Sequence, residues 1–88
     1  MEPEGTYHVY LLQCGDGTYY CGSAKDLAAR IAAHRAGKGA RYTRGRGPLE
    51  LVYSEACPDR ASALRREAQL KRRSRREKMA LIARNHAG

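Results

Sequence analysis

The chain has 88 residues, with 17 Lys and Arg against nine Asp and Glu, for a formal net charge of +8. That length supports one small hydrophobic core, and so strong a positive balance points to a polyanionic partner, nucleic acid first. Phe and Trp are absent and no apolar run approaches the roughly 20 residues of a bilayer span, so neither a membrane anchor nor a membrane span is expected.

The start Met1-Glu2-Pro3-Glu4 is acidic and polar, unlike a secretory signal, and a cytoplasmic location is expected. Tyr7-His8-Val9-Tyr10-Leu11-Leu12-Gln13 and Thr18-Tyr19-Tyr20-Cys21-Gly22 are aromatic and branched, and Gly15-Asp16-Gly17 separates them as a hairpin turn would. A three-residue loop with Gly17 left-handed pairs Cys14 with Thr18, Leu12 with Tyr20 and Tyr10 with Gly22. Tyr10 and Tyr20 are then diagonal neighbours on one face. A two-residue loop would slip the register by one and place them on opposite faces. Asp26 caps a helix expected to run to about Ala36, where Gly37 stops it. Leu27 and Ile31 form its apolar stripe, and Arg30 and His34 lie along the edge, one turn apart.

Residues 37–48 form a loop carrying Lys38, Arg41, Arg44 and Arg46 with no acid among them. Leu49 to Cys57 reads as a third strand, with Leu49, Leu51 and Tyr53 alternating against Glu50, Val52 and Ser54. Pro58-Asp59 ends it and caps a helix over residues 60–73. Ser74 and Glu77 have the spacing of a capping box, which starts a last helix running to about Arg84. No linker, repeat or second domain interrupts the pattern, and residues 1–88 read as one domain. Cys14, Cys21 and Cys57 sit in strand-like segments without a Cys-x-x-Cys spacing. They are expected as buried small hydrophobes rather than zinc ligands or a redox pair.

Glu67 is the most informative residue. On the wheel of residues 60–73, Ala61, Leu64, Ala68, Ala63 and Leu70 define an apolar half that contains it, while Arg65, Arg66, Gln69, Arg72 and Arg73 hold the solvated face. An inward carboxylate is costly unless paired or bound to a metal ion. The plainer alternative is an exposed ion pair with Lys71, worth only about 0.3–0.5 kcal/mol. Tyr10, Tyr20, Arg30 and His34 are the other candidates, if hairpin face and helix edge open into one cleft. Phenols donate, accept or take a proton, and Arg presents fixed donors to a phosphate oxygen. Phosphodiester hydrolysis needs an activated water, positive charge on the transition state and often a carboxylate-held metal. Taken singly, the same residues are packing tyrosines and a solvated histidine. In the loop, glycines let backbone approach phosphate closely and arginines hold it.

Val9-Tyr10, then Tyr20-Cys21-Gly22 ten residues on, Ala24-Lys25-Asp26-Leu27 with Arg30 and His34, and Glu67 on a later helix together resemble the GIY-YIG nuclease superfamily. The small stand-alone bacterial YhbQ-type branch is nearest, with Gly37-Lys38-Gly39-Ala40, Thr43-Arg44 and Leu64-Arg65-Arg66-Glu67 also similar. The resemblance covers about residues 6 to 84. It implies an α+β fold, a three-stranded antiparallel sheet flanked by helices, and cleavage of nucleic acid with one Mg²⁺ or Mn²⁺. By that resemblance Tyr20 is the general base or water-positioning group, supported by Tyr10. Arg30 stabilises the phosphate, Glu67 is the sole carboxylate on the metal, and His34 is an alternative base.

Lys25, Lys38, Arg41, Thr43, Arg44, Arg46 and Lys71 are the residues expected to hold the strand. DNA is the expected polymer, with RNA the alternative, and structured or damaged DNA in repair or recombination follows by analogy only. The chain departs from the pattern at His8, where the first motif usually has Gly, and at Cys21, where the second usually has Ile. Ser23 stands where the excision-repair nuclease carries Lys, so a positive charge beside the metal is missing there. The alternative function is a nucleic-acid-binding module with little or no catalytic activity.

Overall fold

The computed structural model describes residues 5–87, so the acidic start at residues 1–4 lies outside the described residues. In chain order it contains β1 (Tyr7–Gln13), β2 (Tyr19–Ala24), α1 (Leu27–Arg35), a 3-10 turn (Arg41–Thr43), β3 (Glu50–Cys57), α2 (Arg60–Lys71) and α3 (Arg75–Ala87). The strands form one antiparallel sheet in the order β2-β1-β3, which is the architecture the resemblance implies.

The central strand explains its own composition. Val9, Tyr10, Leu11 and Leu12 are all at most 1% exposed, an unbroken apolar run because both faces of β1 are covered. Val9 and Leu11 pack with Val52, Ala63 and Leu70, supported by Leu81 and Ile82 of α3. Tyr10 and Leu12 pack on the other face with Ala24 and Ile31. The three cysteines are buried free thiols, as expected, Cys21 and Cys57 in strands and Cys14 just past the end of β1.

Turn and cap chemistry set the local boundaries. Gly17 has φ +85°, the Cys14 N–H donates to the Thr18 carbonyl at 2.8 Å, and Tyr10 pairs with Gly22 and Leu12 with Tyr20. This is the three-residue loop register, and it keeps the two tyrosines on one face. Asp26 accepts from the Ala29 N–H at 3.0 Å and Asp59 from the Ser62 N–H at 2.7 Å, each satisfying an orphan donor of a first helical turn. Ser74 and Glu77 make the reciprocal box, Glu77 N–H to Ser74 Oγ at 3.1 Å and Ser74 N–H to Glu77 Oε1 at 3.0 Å. Ser74→Ala is expected to cost about 1 kcal/mol, read as a lower denaturant midpoint at unchanged slope. The last helix extends past the expected Arg84 to Ala87.

Two sequence expectations fail. In β3, Leu11 pairs with Tyr53 but Leu12 pairs with Leu51, so Val52 is an extra residue between them. This bulge shifts the inward phase by one: Val52 is buried while Leu51 is 37% exposed. In α2, Leu64 is 45% exposed and Ala61 and Ala68 lie at the surface, whereas Ala63 and Leu70 are fully buried. The inward stripe therefore runs Ala63, Glu67, Leu70. The small Ala63 allows close approach to the sheet, and Arg66, expected in solvent, is half-buried with its Nε 2.6 Å from Glu55 Oε1 on β3.

Candidate active site

Tyr10 projects from the centre of β1 across β2, and only a glycine at position 22 leaves it room. A Cβ there would lie 2.5 Å from the Tyr10 hydroxyl oxygen and 3.0 Å from Tyr20 Cε2, well inside van der Waals contact. The Tyr10 hydroxyl lies 2.8 Å from His34 Nε2. His34, expected along a solvated helix edge, is 2% exposed. Its Nδ1 is 3.0 Å from Thr43 Oγ1, and that hydroxyl donates to the Ala40 carbonyl at 2.9 Å. Gly39 closes over the ring, where a Cβ would stand 2.2 Å from Nδ1.

Both ring nitrogens are engaged: Nε2 pairs with the Tyr10 hydroxyl, and Nδ1 meets the Thr43 hydroxyl and accepts from the Ala40 N–H at 3.3 Å. Burial and the nearby Arg30 charge both hold the imidazole pKa below its usual value, keeping it neutral. The sign of the resulting pH dependence is definite. An unfolded His takes a proton near pH 6.5 while the folded one resists, so stability is lost as pH falls below about 6.5. The unfolding midpoint is expected to drop between pH 7 and pH 5.5, and His34→Gln should flatten that segment of the curve.

Tyr20 lies beside this pair, its ring centroid 6.4 Å from Tyr10 and 5.2 Å from His34. Burial raises the pKa of both phenols. The Arg30 charge pulls both down and the Glu67 carboxylate pushes both up. Each tyrosine therefore stands in the field of an exposed guanidinium from α1 and a half-buried carboxylate from α2. Lys71 also lowers the Tyr20 pKa.

Glu67 is 17% exposed at its side chain, and the ion pair with Lys71 that the plainer alternative names is formed, with Glu67 more enclosed than that alternative assumed. Ser23 Oγ donates to its Oε1 at 2.7 Å and Lys71 Nζ stands 2.7 Å from its Oε2. Ser23, noted in the sequence only for lacking a charge, thus orients the carboxylate. Lys71, one turn beyond Glu67, places a positive charge beside the same carboxylate. Among the described residues no cluster of three or more His, Cys, Asp or Glu stands ready for a metal. Glu67 is the carboxylate that would hold Mg²⁺ or Mn²⁺, with waters and substrate phosphate oxygens as the other ligands, and Lys71 would have to leave its Oε2 to make room. Cys21 is no ligand candidate, since burial raises its thiol to about 11.

The expected strand-holding residues divide. Lys38, Arg41 and Arg44 are exposed on the loop. Thr43 is 2% exposed and belongs to the His34 network. Arg46 pairs with Asp16 at 2.6 Å and lies 4.3 Å over the Tyr42 ring. Lys71 is paired with Glu67. Lys25 lines a separate groove of about 1110 Å³ between α1 and the β3 side, bounded by His8, Leu27, Ile31, Arg35 and Leu51; neither phenol nor Glu67 lines it. The sequence reading passed over Tyr42, although one aromatic ring in a loop of glycines and cations is itself a signal.

Residues 6–80 match the GIY-YIG catalytic domain. A UPF0213 protein of Halobacterium salinarum is 48% identical over 76 residues, covering 86% of this chain and 99% of the relative. A UPF0213 protein of Xanthomonas axonopodis is 50% identical over 82 residues, 93% of this chain and 80% of the relative. The solution NMR structure of a UPF0213 protein from Bacillus halodurans is similar at TM-score 0.57 and 46% identity, covering 89% of this chain and 83% of that one. An E. faecalis protein solved by NMR gives TM-score 0.65 at 30% identity, covering all of this chain and 94% of that one.

Proposed function

From the premise that this chain belongs to the GIY-YIG family, in its UPF0213 group, we propose that it is a one-domain, metal-dependent nuclease hydrolysing phosphodiester bonds in DNA. Structured or damaged DNA in repair or recombination is the substrate class taken from analogy. The reading is supported by Tyr10, Tyr20 and His34 packing as one ring cluster and by Glu67, which is bonded to Ser23 on the strand that carries Tyr20. In this reading Arg30, Glu67 and the two phenols serve one scissile phosphodiester, whose attack by water needs such groups.

The roles follow from the surroundings. The Tyr20 oxygen orients the attacking water and takes its proton, and Tyr10 holds the Tyr20 side of the cleft while tied to His34. With both ring nitrogens engaged, His34 positions Tyr10 and the loop rather than serving as the base. Arg30 donates to the non-bridging phosphate oxygens as their charge grows. Lys38, Arg41 and Arg44 hold the flanking strand by phosphate contacts that weaken with salt. Glu67 would hold the Mg²⁺ or Mn²⁺ ion, which would supply Lewis-acid stabilisation at the phosphoryl oxygen. A cytoplasmic setting accords with three buried free cysteines, and among the described residues no helix is long and apolar enough to cross a membrane.

A second reading, a binding module for DNA or RNA without cleavage, has one specific observation behind it: Lys71 already neutralises the carboxylate a metal ion must take. Labelled branched, single-stranded and duplex DNA, and matched RNA, incubated with Mg²⁺ or with EDTA beside a Glu67→Ala variant, separate the two. Metal-dependent cutting that disappears in the variant supports the nuclease. Cutting unchanged by the substitution eliminates this site, and binding without cutting selects the second reading.

A further inference from the structure

A cleft of about 270 Å³ runs along the free edge of β2, lined by Tyr19, Tyr20, Cys21, Tyr42, Lys71 and Lys78. It shares Tyr20 and Lys71 with the candidate active site, and the remaining residues have no part in the chemistry assigned there. Its lining combines three phenol rings and two ammonium groups, of which that of Lys71 is paired with Glu67. Aromatic faces and cations together are the pairing that takes unstacked nucleotides, rings meeting bases and cations meeting phosphates. The volume falls below the roughly 300 Å³ at which pockets for drug-sized molecules begin and is of the order of one flat heterocycle.

Two further features fit a base. β2 is an edge strand, and the Cys14–Thr18 bond fixes the ladder's phase. Alternation then turns the N–H and C=O groups of Tyr19, Cys21 and Ser23 away from β1, along the edge where the cleft lies, in position for the donors and acceptors of a base. The wall contributed by the loop is also built in advance. Tyr42 stacks on Tyr20 with centroids 6.0 Å apart and planes 27° apart. Arg46 lies 4.3 Å from its ring centroid and is itself held by Asp16 at 2.6 Å. Tyr42 is 40% exposed, yet its ring is held by both Tyr20 and Arg46.

We propose that this cleft receives one unstacked nucleobase beside the phosphodiester held at Tyr20, with Tyr42 as its aromatic wall and Lys71 and Lys78 on the adjoining phosphates. The subsite rests on the nuclease reading of the neighbouring site and makes an unpaired nucleotide next to the cut a requirement for tight binding.

The test compares binding, in EDTA and at fixed salt, of a Glu67→Gln protein to a thymidine oligonucleotide and to a strand of equal length and charge whose sugars carry no bases. The base-bearing strand is expected to bind about tenfold tighter, within the range of one stacked base. Adding Tyr42→Ala should erase the difference while leaving affinity for the base-free strand unchanged, and Tyr42→Phe should preserve it. If Tyr42→Ala loses cooperative unfolding, Tyr42→Leu keeps volume without an aromatic face and replaces it. Equal affinity for the two strands, or a preference that survives loss of the ring, overturns the subsite. Because binding is read without cleavage, a wild-type protein that cuts nothing would overturn the function above and leave the subsite standing. Cutting that ignores the bases would do the reverse.

Discussion

Glu67→Gln is expected to lower cleavage about a thousandfold, at the upper end of what one lost electrostatic contact at a reacting phosphoryl group costs, while tightening binding to the same nucleic acid. The amide oxygen still accepts from Ser23, which stands 2.7 Å from the carboxylate now, so the side chain keeps its place. What disappears is the negative charge. Lys71, 55% exposed at its side chain and at present 2.7 Å from Oε2, is released to phosphate, and the already positive surface gains one net charge. Each cation added to a phosphate contact steepens the salt dependence, so the variant's affinity should fall faster with salt than wild type's. Folding should change by less than about 1 kcal/mol, since an ion pair with one exposed partner contributes little. Titration of Mn²⁺ without nucleic acid, followed by electron spin resonance, should show the loss of binding independently of activity. A Gln variant that cuts at the wild-type rate would remove the carboxylate from the mechanism altogether.

What the sequence made legible was what neighbouring residues decide among themselves. The Gly15-Asp16-Gly17 turn sets the hairpin register because Gly17 alone takes the left-handed conformation, and the Ser74/Glu77 box places a helix start through two bonds within four residues. The failures lie where a distant partner decides. The β3 bulge exists only in the pairing with β1, and the inward face of α2 is set by its packing against the sheet, where Ala63 and Leu70 are buried. His34 read as an edge residue because Thr43 and Gly39, which bury it, stand in a loop whose path sequence periodicity does not encode. Ser23 was weighed as an absence of charge, yet its hydroxyl is what aims Glu67.

The choice between Tyr20 and His34 as the group that takes the water's proton can be read from pH alone. Burial and Glu67 raise the Tyr20 pKa, so at neutral pH the phenol is protonated and its basic form grows about tenfold per pH unit, levelling only above the ordinary tyrosine value of about 10. His34 is displaced the opposite way: burial and Arg30 lower its pKa, so its neutral form already predominates at pH 7 and a histidine base would give a rate that changes little from pH 7 to pH 9. A wild-type rate rising with unit slope from pH 7 to pH 9 is therefore expected. Tyr20→Phe should lose about a hundredfold or more at pH 8, the ordinary contribution of a positioned acid or base, and should flatten the slope. Any rise it retains belongs to metal-bound water or hydroxide, which the phenol does not control. His34→Gln should keep the slope and lose rate in proportion to the Tyr10 contact it gives up. A wild-type plateau beginning below neutrality and abolished by His34→Gln would instead make the imidazole the base, and would require that Tyr10 or Thr43 release it when substrate binds.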